Sequence, residues 1–281
     1  MKDLRTIVKG IAKLKPVSQV LNKIVAITQD PDSSMKDLSH IVSFDAAVTA
    51  NLLRKANSSY YGRSGQFESV HQAIVFLGMD EVVDLALMAS SADNMKQRGQ
   101  KGYDLKPGEL WRYSVISALV ARDLAVEKKI EDKHLVFTAA LLKDIGKVIL
   151  EQFVSESLEQ IIFLVQSKQY SFREAEKEVL GIDHAELGGL VAKVWQFSPK
   201  MIDIIANHHQ PDEAKLAPFE TAVVYIADVV CMMMGIAVGC DGLTYRFHRN
   251  VVDNLSLSEK DFQHLMVWYS ENLRKVDALA A

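Results

Sequence analysis

The feature that most constrains this chain is the spacing of its apolar residues, which return every three or four positions and almost nowhere every two. Leu4, Ile7, Val8 and Ile11 stand at i, i+3, i+4 and i+7, and Val17, Val20, Leu21 and Ile24 repeat the pattern after Pro16, a good first helical residue. Such a stripe covers one face of an α-helix, because a turn closes about every 3.6 residues. Val48, Leu52 and Leu53 mark a short helix that Asp45 can cap. Residues 69–96 read as one or two helices broken near Gly78. Helical patterns then run over 109–128, 132–151, 155–168, 171–180, 183–197, 199–208 and 218–236, and Ser258 with Asp261 resembles a capping box for a last helix over 259–275. There is no convincing alternating strand, no heptad and no internal repeat, so the expectation is an all-α fold. The polar segment from Lys96 to Gly108, with Gly99, Gly102 and Pro107, is the candidate linker. It predicts two helical lobes, residues 1–100 and 105–281.

Composition narrows the function classes. A net charge of -4 over 281 residues argues against nucleic acid or an anionic membrane as the main partner. Residues 1–55 carry nine Lys/Arg against five Asp, which reads as solvated helix faces. Residues 35–56 could mimic a helix-turn-helix, but the second helix carries its basic residues, Arg54 and Lys55, at the end away from a DNA groove. Cys231 and Cys240 are too few for a disulfide framework and fit a reducing cytoplasm. The N-terminus mixes charges through its apolar positions, unlike a signal peptide. The most apolar run, Thr221 to Val238, carries Asp228 in its middle and suits a buried helix better than a membrane span. Met232, Met233 and Met234 read as core or an oligomer contact, and the oligomeric state stays open. Tyr60, Tyr61 and Phe67, around a glycine loop, are either a turn or aromatic anchors for a protein partner.

Five polar side chains stand out against the apolar second half: Asp144, His184, His208, His209 and Asp228. Asp144 follows a buried-looking helix, His184 opens an amphipathic one, His208-His209 ends another before Pro211, and Asp228 lies mid-helix. An acid in an apolar helix needs a partner, because an unpaired buried charge is costly. Metals are common partners for imidazole and carboxylate. Taken singly, each residue also has a plain role, as a helix-terminal dipole partner or a backbone hydrogen-bonding group.

Their order resembles that of the HDOD family, HD-related output domains within the HD phosphohydrolase superfamily. The resemblance spans about residues 10–240. In the first lobe it rests on Asp30-Pro31-Asp32, Phe44-Asp45, Leu52 to Ser58 and Ala73 to Gly78. In the second it rests on Leu110-Trp111, Leu141 to Lys147, His184 to Gly188, Trp195, Pro199 and His208-His209. It implies a multi-helical HD-like domain with an N-terminal helical lobe, in a bacterial-type signalling protein. HD enzymes hold metal with an early His, a His-Asp pair, further histidines and a late Asp. Carried onto this chain, the metal set is Asp144, His184, His208, His209 and Asp228. Two positions depart: Tyr113 stands where the first His would be, and Lys143 replaces the His of the pair.

Lys143 decides the functional reading, because a protonated amine has no lone pair for a metal. An ammonium about 4 Å from a divalent ion, at an effective dielectric near 20, is opposed by about 8 kcal/mol. A binuclear hydrolytic centre is therefore not expected. Either Lys143 or Lys147 supplies the cation for Asp144 and Asp228, or Lys143 points to solvent and leaves a mononuclear site. The Gly-Tyr-Pro extension of cyclic-dinucleotide phosphodiesterases is also absent. The expectation is a non-catalytic signalling module with a degenerate metal site and no cofactor, or at most one divalent metal ion. Its partner would be a protein, or a small ligand in the interlobe cleft. The alternative is a metal-dependent phosphohydrolase with a reduced site, in which Asp144 and Lys147 take part in catalysis.

Overall fold

Helix ends follow from local side chains. In the computed structural model, which describes residues 4–14, 19–28, 30, 32–43, 45–61, 67–95, 101–236, 238–242 and 246–280, the described secondary structure is helical and contains no strand. Pro16, Val17, Pro31, Phe44, Gly62, Gly65 and Lys96–Gln100, on which parts of the sequence reading rest, lie outside the described residues. The first helices are α1 (Leu4–Lys9), α2 (Gln19–Thr28), α3 (Met35–Ser43), α4 (Ala46–Ala56), α5 (Val70–Leu77) and α6 (Met79–Met95). Asp45 caps α4 by accepting from the N–H groups of Ala47 and Val48, and Gly78 separates α5 from α6. The later helices are α7 (Glu109–Glu127), α8 (Lys133–Leu142), α9 (Ile145–Lys168), α10 (Phe172–Leu180), α11 (His184–Val194), α12 (Pro199–Asn207), α13 (Pro218–Met233), α14 (Arg249–Asn254) and α15 (Glu259–Ala280). Asp132, Ser171, Asp183 and Ser198 cap α8, α10, α11 and α12, each side chain closing one of the orphan N–H groups of a first turn.

Several boundaries differ from expectation, two of them for tertiary reasons. The pattern over 132–151 breaks at Lys143-Asp144, and α9 then runs without interruption to Lys168. The turn falls where both side chains enter buried ion pairs, and Gly146 lets the start of α9 touch α11. A Cβ on Gly146 would sit 2.0 Å from the His184 carbonyl oxygen. The second concerns the candidate linker. Its described part, from Lys101, is tied to the second helical array: Gly102 and Tyr103 are buried against α9. A Cβ on Gly102 would lie 2.6 Å from the Ser155 nitrogen and 2.7 Å from the Glu151 oxygen, so only glycine fits there. The last helix also outruns its expected end, reaching Ala280.

α6 is the hub of the first array, packing on α2, α4 and α5, and its other side meets α7, α8 and α9. In the second array α7 lies between α8 and α13, and α11 between α9 and α12. The buried residues of both arrays form one continuous apolar cluster. α15 returns along α7 to the first array. There Lys55 donates to the Leu279 carbonyl, and Trp111 Nε1 donates to the Ala280 carbonyl at 2.9 Å. Tyr61 is turned inward rather than outward: its hydroxyl donates to Glu81 Oε1 at 2.7 Å, and Phe67 is buried. These aromatics anchor the fold itself.

Candidate functional site

Four structural pieces converge on one buried point: the α8–α9 turn, the start of α11, the end of α12 and the middle of α13. They bring together all five residues singled out in the sequence, along with Lys143, and α7 adds Tyr113 as a fifth piece. Lys143 is fully buried, which removes the alternative that it points to solvent. Its ammonium pairs with Asp144 Oδ2 and lies 2.8 Å from Asp228 Oδ1. Tyr113, on α7, donates its hydroxyl to the same Asp228 Oδ1 at 2.8 Å, and its ring lies 4.6 Å from the Lys143 ammonium. The two substitutions therefore act as one unit: a cation and a hydroxyl donor share the carboxylate oxygen, and the phenol ring stabilises the cation.

Lys147, in the first turn of α9, adds a second buried ammonium, 2.7 Å from Asp144 Oδ1 and 2.6 Å from Asp241 Oδ2. Burial disfavours every one of these charges, yet the opposite charges outweigh it. Lys143 and Lys147 are held above the usual lysine range by Asp144 with Asp228 and Asp241, respectively. Asp144 is held well below the carboxylate range by Lys143 and Lys147, and Asp228 is lowered by Lys143.

The histidines form the opposite wall. His208 accepts nothing at Nδ1, because its neighbour there is the Ile205 carbonyl at 2.8 Å; Nδ1 donates, and Nε2 is left as a lone pair. Among the described residues that Nε2 has no hydrogen-bond partner, and it faces Asp144 Oδ1 at 3.9 Å. Asp144 Oδ1 has its ion contact with Lys147 but no aligned hydrogen bond. His184 Nδ1 meets Glu176 Oε2 at 2.7 Å, and His184 Nε2 lies 2.9 Å from His209 Nε2. Burial keeps His208 neutral, with a pKa of about 3, and lowers His209 as well. His184 moves the other way: burial opposes its charge, but the Glu176 carboxylate raises its pKa.

One ligand atom each from Asp144, His184, His208 and His209 lies within 4.8 Å of the others, and two buried atoms without hydrogen bonds, Asp144 Oδ1 and His208 Nε2, belong to this set. Three imidazoles and a carboxylate suit one borderline divalent ion. Asp228 is outside the group, its Oδ1 shared by Lys143 and Tyr113. Asp144 already carries Lys143 on Oδ2 and Lys147 on Oδ1, so an ion taken by this group would share that carboxylate with two ammoniums.

Three contributors went unread in the sequence: Tyr103, Glu176 and Asp241. Glu176 did leave a signal. It occupies the apolar stripe Phe172, Ala175, Val179, Leu180, where a carboxylate is out of place. Tyr103 and Asp241 sit in glycine-containing segments that look like surface loops. A cavity of about 250 Å³ opens onto His184 and His209, with Phe172, Asp241, Arg246 and His248 among its walls. It lies within the second array, not in a cleft between lobes.

The all-helical fold, with its two arrays sharing one apolar core, is that of an HD-related output domain. The chain belongs to the HDOD family, whose domain matches residues 14–211. It superposes on an HDOD domain protein of unknown function from Geobacter sulfurreducens with a TM-score of 0.76 and 22% identity, covering 99% of this chain and 98% of that one. A candidate signal transduction protein from Marinobacter aquaeolei gives 0.73 and 21% identity over 95% of this chain and 58% of that one. A candidate phosphohydrolase from Shewanella amazonensis gives 0.70 and 19% identity over 98% and 96%. At these identities the likeness is one of fold. An uncharacterized protein of Treponema pallidum is 22% identical over 213 residues, 72% of this chain; the chain spans about 40% of that relative's length. No helix among the described residues is long and apolar enough to cross a membrane.

Proposed function

We propose that this chain is a non-catalytic regulatory module that binds a partner protein or a small ligand, with residues 1–100 and 105–281 as its two lobes. Its metal centre is reduced: Lys143 fills the space a second ion would need. One observation carries the reading, the buried Lys143 ammonium bridging Asp144 and Asp228. With that cation in place, a bridged pair of ions lacks both the room and the free carboxylate. Asp144, His184, His208 and His209 would hold a single ion, which as a Lewis acid polarises an oxygen bound to it. The protein's own residues supply the rest. Lys143 and Lys147 neutralise Asp144, and the rings of Tyr113 and Tyr103 lie 4.6 Å and 5.7 Å from those two ammoniums. Two cysteines outside any disulfide agree with a cytoplasmic setting.

A metal-dependent phosphohydrolase is the second reading, favoured by the cavity that meets His184 and His209 and by the likeness to the candidate phosphohydrolase from Shewanella amazonensis. It would use Asp144 and Lys147 beside a single ion. Metal analysis of the purified full chain, together with hydrolysis of bis(p-nitrophenyl) phosphate, separates the two. At most one ion per chain and no turnover above background are expected. Turnover that needs the bound ion and disappears in Asp144→Ala, with one ion per chain or two, would overturn the regulatory reading.

A further inference from the structure

The centre is supported from behind by a buried carboxylate. Glu176, on α10, is fully buried and takes three donors. Tyr103 gives its hydroxyl to Oε1 at 2.5 Å, and His184 gives both its backbone N–H, at 3.1 Å, and its ring Nδ1, at 2.7 Å, to Oε2. A carboxylate only accepts, so the hydrogen on His184 sits at Nδ1 and the Nε2 end is turned toward His209 and Asp144. His208 presents the same atom by a separate device, the Ile205 carbonyl at its Nδ1.

We infer that Glu176 is a positioning residue that fixes the ring orientation and tautomer of His184, and that Tyr103 holds Glu176 in place. The inference rests on the one-ion reading of the centre and deepens it, since it assigns the residues behind a ligand. Tyr103 is built to hold still. Gly102 wedges it against the backbone of α9, and its ring packs on Phe172 at 5.7 Å and edge-on to His184 at 6.3 Å. It has no apparent reason to bury a hydroxyl except to reach Glu176. A carboxylate behind an imidazole ligand also enriches the electron density at the opposite nitrogen, and loss of such a partner costs about 10–100-fold in metal affinity.

The test uses the full chain and Ni²⁺ alone as the probe, with calorimetric titration of wild type, Glu176→Gln and Tyr103→Phe. Glu176→Gln keeps the shape and removes the charge, so Ni²⁺ binding is expected to weaken about 10–100-fold. Tyr103→Phe keeps the ring and is expected to weaken it by a smaller factor. Thermal unfolding of each variant is followed in parallel, and equal Ni²⁺ affinity in wild type and Glu176→Gln would overturn the inference. A second arm needs no ion. Long-range ¹⁵N–¹H spectra of the ion-free wild type, with the signal assigned through His184→Asn, are expected to show His184 protonated at Nδ1. A hydrogen at Nε2 alone, with Nδ1 bare, overturns the role of Glu176 whatever the metal result. A wild type that binds no Ni²⁺ while His184 carries its Nδ1 hydrogen overturns the one-ion reading and leaves the positioning role supported.

Discussion

At the scale of the residue, the buried ammonium of Lys143 organises the chemistry. A histidine at position 143 would offer a lone pair; the lysine there offers a charge, and the surrounding carboxylates accept it. Replacing Lys143 with Met keeps the volume but leaves Asp228 and part of Asp144 buried without a cation. Breaking a buried pair in this way costs about 3–5 kcal/mol. Urea unfolding of Lys143→Met in chelator-treated buffer is expected to show a loss of that order, partly recovered on adding a divalent cation, which can take the vacated place. Unchanged stability would mean that the ion pair contributes nothing net. Lys143, Asp144 and Asp228 were legible as the important positions because charged residues interrupt apolar helices there. Their partners were not, because Glu176 and Asp241 lie 32 and 97 positions from Asp144 and no local rule joins them.

At the scale of the element, a second polar network seams α6 to α7 and α8. His134 lies with Nδ1 3.0 Å from Asp84 Oδ1 and Nε2 3.2 Å from Asp80 Oδ1. Lys133 reaches Asp80, and Arg122 reaches Glu81 and Asp84, with Asp123, Tyr61 and Tyr269 completing the surroundings. Two carboxylates that only accept require both ring nitrogens to donate, so this arrangement belongs to the imidazolium. Burial opposes that charge, but the hydrogen bond and charge of Asp84, then those of Asp80, raise the His134 pKa above its ordinary value. A raised folded-state pKa contributes stability that is fully present below the unfolded value, about 6.5, and is lost as pH rises through the folded one. Urea unfolding between pH 6 and pH 9 is therefore expected to show a decline in wild type that is shallower in His134→Gln. Parallel slopes would contradict the assignment. The sequence made α8 readable through its apolar run and Asp132 cap, but not this seam. His134 looks like one more polar residue in a first turn.

At the scale of the whole molecule, the chain closes on itself through α15. Its last carbonyls receive Lys55 from α4 and Trp111 from α7, so one helix end ties the first array to the second. Cations and N–H donors are favourable at a helix C-terminus, where carbonyls lack intrahelical partners. Truncation after Leu273 would remove the buried Val276 and Leu279 and take those acceptors from the two side chains. The expected cost exceeds about 3 kcal/mol, read as a lower urea midpoint for the entire chain, because burying a donor without its acceptor adds to the lost apolar contact. A truncated chain as stable as the full one would show that the tie is dispensable.

Helical periodicity by itself determined that this protein is all-α, and the order of its acids and histidines pointed to the family and to Lys143 as the departure from it. Those are short-range properties: a period of 3.6, a cap within one turn, an acid where apolar residues surround it. Only the tertiary structure decided where the lysine ammonium went, that Tyr113 joined it on Asp228, and that Tyr103 and Glu176 stand behind His184. Such contacts are set by how helices distant in the chain pack, and neither spacing nor composition encodes which buried charge meets which.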